Sequence, residues 1–256
     1  MRRFPGQPPP LVALHGFTQT GDMYAELAGL LGREIIAPDL PGHGRSAGVP
    51  TTFPSAVSGV ADVLAPDGRP VPLMGYSQGG RVALAVAVER PELVSHLVLV
   101  STHPGIEDDI ERAARRRADE MLAAELRDGE IALFVDQWLA RPMFEGLDRR
   151  GDTWRYDDRA ARLENTAEGL ADALVGMGQG AQPYFGLRLS ELRMPVLLIA
   201  GGQDQNYAAL AHFVSRSLAR GRLSVIPDAG HAVIGEQPRV VADLIDTFLT
   251  EAGQAV

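Results

Sequence analysis

The chain has 256 residues, 45% of them hydrophobic and 22% charged, which suits one large α/β domain with an insertion and excludes wholesale disorder. It contains no cysteine, which removes disulfides, thiolate metal sites and cysteine nucleophiles, and no lysine, which removes Schiff-base, pyridoxal-anchoring and P-loop lysines. All 24 basic residues are arginine, and the net charge of −9 argues against a nucleic-acid partner.

Short apolar runs alternate with amphipathic stretches, the pattern of βα units on a parallel sheet. The N-terminal MRRFPGQPPP lacks the apolar stretch of a secretory signal, and no later run approaches the roughly 20 apolar residues of a membrane span. A cytoplasmic protein with no membrane contact is expected. Strand Leu11–Leu14 precedes helix Asp22–Leu31, strand Glu34–Pro38 precedes helix Pro54–Leu64, and strand Val71–Tyr76 precedes helix Gln78–Glu89, which Pro91 stops. Strand Leu97–Val100 closes this half. The alternation then breaks between Ser101 and Arg193, where Glu107–Leu126, Ile131–Leu139 and Ala160–Leu174 read as helices and nothing reads as a strand. So long and so patterned a stretch is no loop, and it predicts a helical lid over the carboxyl edge of the sheet. Strands Pro195–Ala200 and Leu223–Ile226, with helices Tyr207–Ala219 and Pro238–Leu249, complete the core.

Gly75-Tyr76-Ser77-Gln78-Gly79 fits G-x-S-x-G directly after an apolar strand and directly before a helix, the context of a nucleophile elbow. Small residues must flank a serine in so tight a turn, and the helix behind it aims backbone N–H groups at any oxyanion formed there. Such a serine needs a base oriented by a third group. Asp204, in the loop after strand Pro195–Ala200, and His231, in the loop after strand Leu223–Ile226, stand in the required order. Asp228 is the rival acid, but three residues from His231 it reads as a turn former. His15 and His43 lie in glycine-containing loops and read as structural, while His96, His103 and His212 are isolated. The backbone N–H groups of Phe17 and Gln78 are the candidate oxyanion donors. No histidine pair shows metal-ligand spacing with a carboxylate, so no metal is expected.

The motifs HGF, DLPGHGRS, GYSQGG, GGQD and AGHA together resemble the α/β-hydrolase superfamily, from Leu11 to about Leu249. The resemblance extends into the insertion. Ser101–Ile106, the arginine-rich run Glu111–Arg116, Phe134–Trp138 with Arg141–Phe144, Arg162-Leu163 and Gly176–Pro183 are similar to the 2-succinyl-6-hydroxy-2,4-cyclohexadiene-1-carboxylate synthases of menaquinone biosynthesis. That resemblance implies a lyase that removes a proton beside a succinyl carbonyl of a cyclohexene tricarboxylate and expels pyruvate without a cofactor. It implies a catalytic triad of Ser77, Asp204 and His231, and substrate contacts from Arg81, Arg115, Arg162, Tyr76 and Trp138. Arginine suits this task, since a planar, always-charged fork binds a carboxylate bidentately. The expected partner is a small molecule, bound by a monomer or small homo-oligomer.

Each substrate residue also has a plainer reading. Arg115 lies in a helix crowded with arginines and acids, where i, i+4 pairing on a solvated face is the ordinary outcome, and Trp138 at helical spacing from Phe134 reads equally as lid core. Where the synthases commonly continue after the triad acid with lysine and phenylalanine, this chain has Asn206 and Tyr207, and a further arginine is replaced by Val175. These departures favour a neutral ester, so a carboxylesterase working through an acyl-serine is the alternative, and a non-catalytic binding protein the third reading. The expected fold is an α/β-hydrolase core over residues 1–100 and 195–256 with a helical lid over 101–194. Because so few residues precede the first strand, the leading hairpin is expected to be trimmed. That leaves a mainly parallel sheet of about six strands, with helices on both faces and the lid between the fourth and fifth.

Overall fold

Apolar runs with little alternation become interior strands, because helices cover both faces of the sheet they build. The computed structural model describes residues 1–64 and 68–251. Its strands are β1 (Arg2–Phe4), β2 (Gln7–Leu14), β3 (Arg33–Ala37), β4 (Val71–Tyr76), β5 (Val94–Val100), β6 (Val196–Gly201) and β7 (Gly221–Ile226), in spatial order β1-β3-β2-β4-β5-β6-β7. The α-helices are α1 (Ala25–Leu31), α2 (Phe53–Leu64), α3 (Gln78–Glu89), α4 (Asp109–Asp128), α5 (Ile131–Leu139), α6 (Asp152–Arg162), α7 (Ala167–Met177), α8 (Gln205–Ser217), α9 (Val233–Glu236) and α10 (Pro238–Glu251). Among the described residues, no helix is long and apolar enough to cross a membrane.

Register divides the core. Val12, Leu73, Leu97 and Val196 pair across neighbouring strands and face α2, α3 and α8, whereas the next residues along, Ala13, Met74, Val98 and Leu197, face α1 and α10. All of these side chains are nearly or fully buried.

The sheet has one strand more than the six expected. The short segment β1 pairs antiparallel with β3, Arg3 opposite Ile36, and not with β2, so the described residues form no leading hairpin. The other strands are parallel. Strand β2 also starts earlier than its apolar run, at Gln7. Its pairing with β3 skips from Gln7↔Arg33 to Leu11↔Ile35, because Pro8–Pro10 have no N–H to donate to the ladder.

Residues 101–195 separate β5 from β6 and contain α4–α7 and the 3₁₀ run Pro142–Arg150. Ala123, Leu126, Phe134, Leu170 and Leu174 form a small core of their own within this insertion. The single helix expected over Ala160–Leu174 is two, α6 and α7. Thr166 caps α7 by accepting from Gly169 N–H at 3.1 Å, and the Asn165 amide donates to Arg162 O at 2.9 Å, so the junction satisfies its own polar groups.

Candidate active site

Ser77 occupies the one-residue turn between β4 and α3. Its φ of 51° lies in the left-handed region, a strain of about 1–3 kcal/mol that its surroundings must hold. Ser77 N–H donates to Val100 O at 2.9 Å, and Arg81 N–H donates to Ser77 O at 3.1 Å. The flanking positions have no room for a side chain: a β-carbon at Gly75 would lie 2.5 Å from the Gly79 carbonyl carbon, and one at Gly79 2.5 Å from His15 O.

Ser77 Oγ lies 3.0 Å from His231 Nε2, and His231 Nδ1 lies 2.8 Å from Asp204 Oδ2. With Nδ1–H donating to the carboxylate, Nε2 is left to accept from the serine hydroxyl. Asp204 precedes α8, and its Oδ1 accepts from Tyr207 N–H at 3.3 Å, which fixes the carboxylate plane. His231 is buried against Tyr207, with ring centroids 4.5 Å apart. Asp228 is exposed, and its carbonyl accepts from Arg149, in keeping with a turn role.

Two candidate backbone donors belong to residues that line one cavity with the serine. Gln78 begins α3 and so has no intrahelical acceptor, and neither its N–H nor that of Phe17 has an acceptor among the described residues. Phe17 and Gln78 both line, with Ser77 and His231, a cavity of about 720 Å³ between the sheet edge and the insertion.

Tyr76, Trp138, Arg81, Arg115 and Arg162 line the same cavity. Arg81 is buried and donates to Met177 O at 2.8 Å, and burial pulls its guanidinium down to about 10. Arg115 pairs with Asp119 at 2.8 Å and donates to Gln179 Oε1. Arg162 is buried, pairs with Asp158 at 2.8 Å and donates to Thr18 Oγ1. Of the two departures from the synthases, Asn206 lines the cavity, whereas Val175 is 40% exposed and does not.

The insertion is bonded to the Ser77 helix, the Phe17–Thr18 loop and the His231 loop. Arg81 meets it at Met177 O, and Thr18, beside Phe17, accepts from Asn165 Nδ2 at 2.7 Å. His231 N–H donates to Met143 O at 3.2 Å, while Arg149 reaches Glu236, whose carboxylate accepts from Gly230 N–H at 2.8 Å.

His15 and His43 are structural, as their loops suggested. His15 Nε2 accepts from Leu40 N–H at 2.9 Å and its Nδ1–H donates to Gly16 O, while His43 donates to Pro41 O and meets His15 edge-on. Burial holds them at about 4 and about 3. His103, read as isolated, lines the cavity and is pushed down to about 4 by burial and by Arg81 and Arg115. Its place just after β5, at the carboxyl edge of the sheet, is the signal that could have marked it. Arg141 also lines the cavity. It stands about one helical turn beyond Trp138, a spacing that could have drawn attention to it.

The family model described as "Alpha/beta hydrolase family" matches residues 11–244. A Bacillus subtilis (strain 168) protein is 38% identical over 94% of this chain and 90% of its own; its name assigns it provisionally as a 2-succinyl-6-hydroxy-2,4-cyclohexadiene-1-carboxylate synthase. A Salmonella newport (strain SL254) protein bearing that synthase name is 32% identical over 97% of each chain. The solved structure of MenH from S. aureus superposes with a TM-score of 0.93 over 98% of both chains at 28% identity. The strand–Ser77–helix turn, the strand order and these likenesses agree, and the chain belongs to the α/β-hydrolase family, in the branch that holds the 2-succinyl-6-hydroxy-2,4-cyclohexadiene-1-carboxylate synthases.

Proposed function

We propose that the chain is a pyruvate-eliminating lyase of menaquinone biosynthesis, acting on a cyclohexene tricarboxylate under a lid formed by residues 101–194. The observation that carries this reading is a Ser-His-Asp constellation opening on a cavity walled by Arg81, Arg115, Arg141 and Arg162 against Asp119. So cationic a wall suits a polyanion.

In this reading His231 Nε2 draws the proton of Ser77, and Ser77 Oγ takes the proton from the carbon beside the succinyl carbonyl. Negative charge then grows on that carbonyl oxygen, where the Phe17 and Gln78 N–H groups stabilise it. The electron pair moves into the ring as the carbon–oxygen bond to the enol pyruvate group breaks, giving the conjugated diene. The leaving group takes up a proton from His231. Asp204 keeps the imidazole in the tautomer this relay needs and stabilises its charged form. No cofactor enters.

The second reading, a carboxylesterase, is favoured by neutral Asn206 in the cavity wall. There Ser77 Oγ would attack an acyl carbonyl and the acyl-enzyme would be hydrolysed. The two part company in one paired assay, the tricarboxylate precursor with pyruvate followed, and a short-chain aryl ester with the phenol followed. Pyruvate release that Ser77→Ala reduces by orders of magnitude is expected; brisk ester turnover without pyruvate refutes the lyase.

A further inference from the structure

The cavity arginines differ in what they are free to bind. Arg115 is neutralised by Asp119 and Arg162 by Asp158. Neither Arg81 nor Arg141 has a carboxylate within 4.0 Å among the described residues. Arg81 is 8% exposed, whereas Arg141 is exposed, and both line the cavity.

Arg141 is nonetheless held in place. Its guanidinium carbon sits 4.2 Å from the centroid of the Trp138 ring, and that ring's centroid lies 5.1 Å from that of Phe17, whose N–H has no acceptor among the described residues. Its main chain is fixed in a turn, with N–H donating to Trp138 O at 3.3 Å and C=O accepting from Phe144 N–H at 2.9 Å. A guanidinium stacked on an aromatic face keeps its fork of donors free at the ring edge, so less freedom is lost when a carboxylate docks.

We propose that Arg141 is a carboxylate anchor on the exposed side of the cavity, acting with buried Arg81 to select ligands that carry more than one carboxylate. The inference rests on reading the cavity as the seat of a polyanion, and it adds to that reading a second arginine for the ligand's charge to engage. A ligand with one carboxylate engages one anchor and leaves the other cation unpaired.

The test is calorimetric titration at fixed ionic strength with citrate as the tricarboxylate probe and trimethyl citrate as its neutral counterpart. Citrate is expected to bind the unaltered protein and trimethyl citrate not to. Arg141→Gln should weaken citrate about tenfold, the worth of one charge-assisted contact, and Arg141→Lys should recover part of the loss. Since Trp138 and Trp154 are the chain's tryptophans, fluorescence of Trp154→Phe reports the same binding beside Arg141. No citrate binding, equal affinity in Arg141→Gln, or equal affinity for the triester overturns the proposal. Citrate binding through Arg141 in a protein that releases no pyruvate refutes the proposed reaction and leaves the anchor standing.

Discussion

Replacing Gly79 by alanine sets two effects against each other. Gly79 lies in the first turn of α3, and inside a helix alanine is favoured over glycine by about 1 kcal/mol. The added β-carbon, however, would lie 2.5 Å from His15 O and closer still to Leu14 O, both main-chain atoms at the end of β2. Neither can swing away as a flexible side chain would, so α3 and the β2 end must separate by roughly 0.5–1 Å, a strain of about 1–3 kcal/mol. The net loss is about 0–2 kcal/mol, or up to roughly 8 °C in melting temperature for a chain of this size. The functional cost is larger, because the displaced segments carry the Gln78 and Phe17 N–H groups on which the oxyanion is proposed to rest. Misplacement by about 1 Å can cost about 100-fold in rate. Circular dichroism melts and kcat/KM for pyruvate release check both parts. Gly59→Ala is the control: it is exposed within α2 with nothing within 4 Å of the new β-carbon, so it should raise stability by about 0.5–1 kcal/mol. A Gly79→Ala protein that melts higher and turns over normally would falsify the steric account.

Asp204→Asn keeps an acceptor for Tyr207 N–H but can present an amide donor to His231 Nδ1, favouring the wrong tautomer; kcat should fall about 10³–10⁴-fold, and a loss under tenfold refutes the orienting role. Arg81→Gln retains a donor for Met177 O yet removes the charge, so kcat/KM for a tricarboxylate should drop about 10–100-fold, and an equal loss on a neutral aryl ester would reassign Arg81 to structure. His15 and His43 stay neutral in the fold down to about 4 and about 3, whereas the unfolded chain protonates them near pH 6.5. The unfolded state therefore binds more protons below pH 6.5: their contribution is intact above that value and is lost as pH falls. Two such sites cost roughly 3 kcal/mol between pH 6.5 and 5. Urea midpoints should drop accordingly over that interval, and a flat profile contradicts the assignment.

Local signals made most of the architecture legible. The apolar runs of β4, β5 and β6 are buried on both faces, so their hydrophobicity is continuous and conspicuous, and Pro91 and Pro238 bound their helices in the way proline requires. Strand β1 escaped because Arg2–Phe4 is short, largely exposed and defined only by its pairing with β3, a contact between segments remote in sequence. The split between α6 and α7 escaped for a similar reason: the Asn165 amide that stabilises it reaches Thr18 O and accepts from Gly44 N–H, partners far along the chain. In the site, the residues flanking Ser77 were readable because a tight turn tolerates few residue types. Arg141 was marked only by its spacing from Trp138, since having no carboxylate within 4.0 Å among the described residues is a property of three-dimensional surroundings.

The bonds from residues 101–195 to the Ser77 helix, the Phe17–Thr18 loop and the His231 loop bear on how such a chain can change over generations. Each of the three meets a different part of the insertion, at Met177, at Arg162 and Asn165, and at Met143 and Arg149. Grafting another member's insertion onto this core would thus exchange more than the ceiling of the cavity, since the three loops would lose the struts that hold them in register. Swaps should succeed as whole units that carry their matching loops and fail piecemeal, so specificity and catalytic geometry in this chain are inherited together.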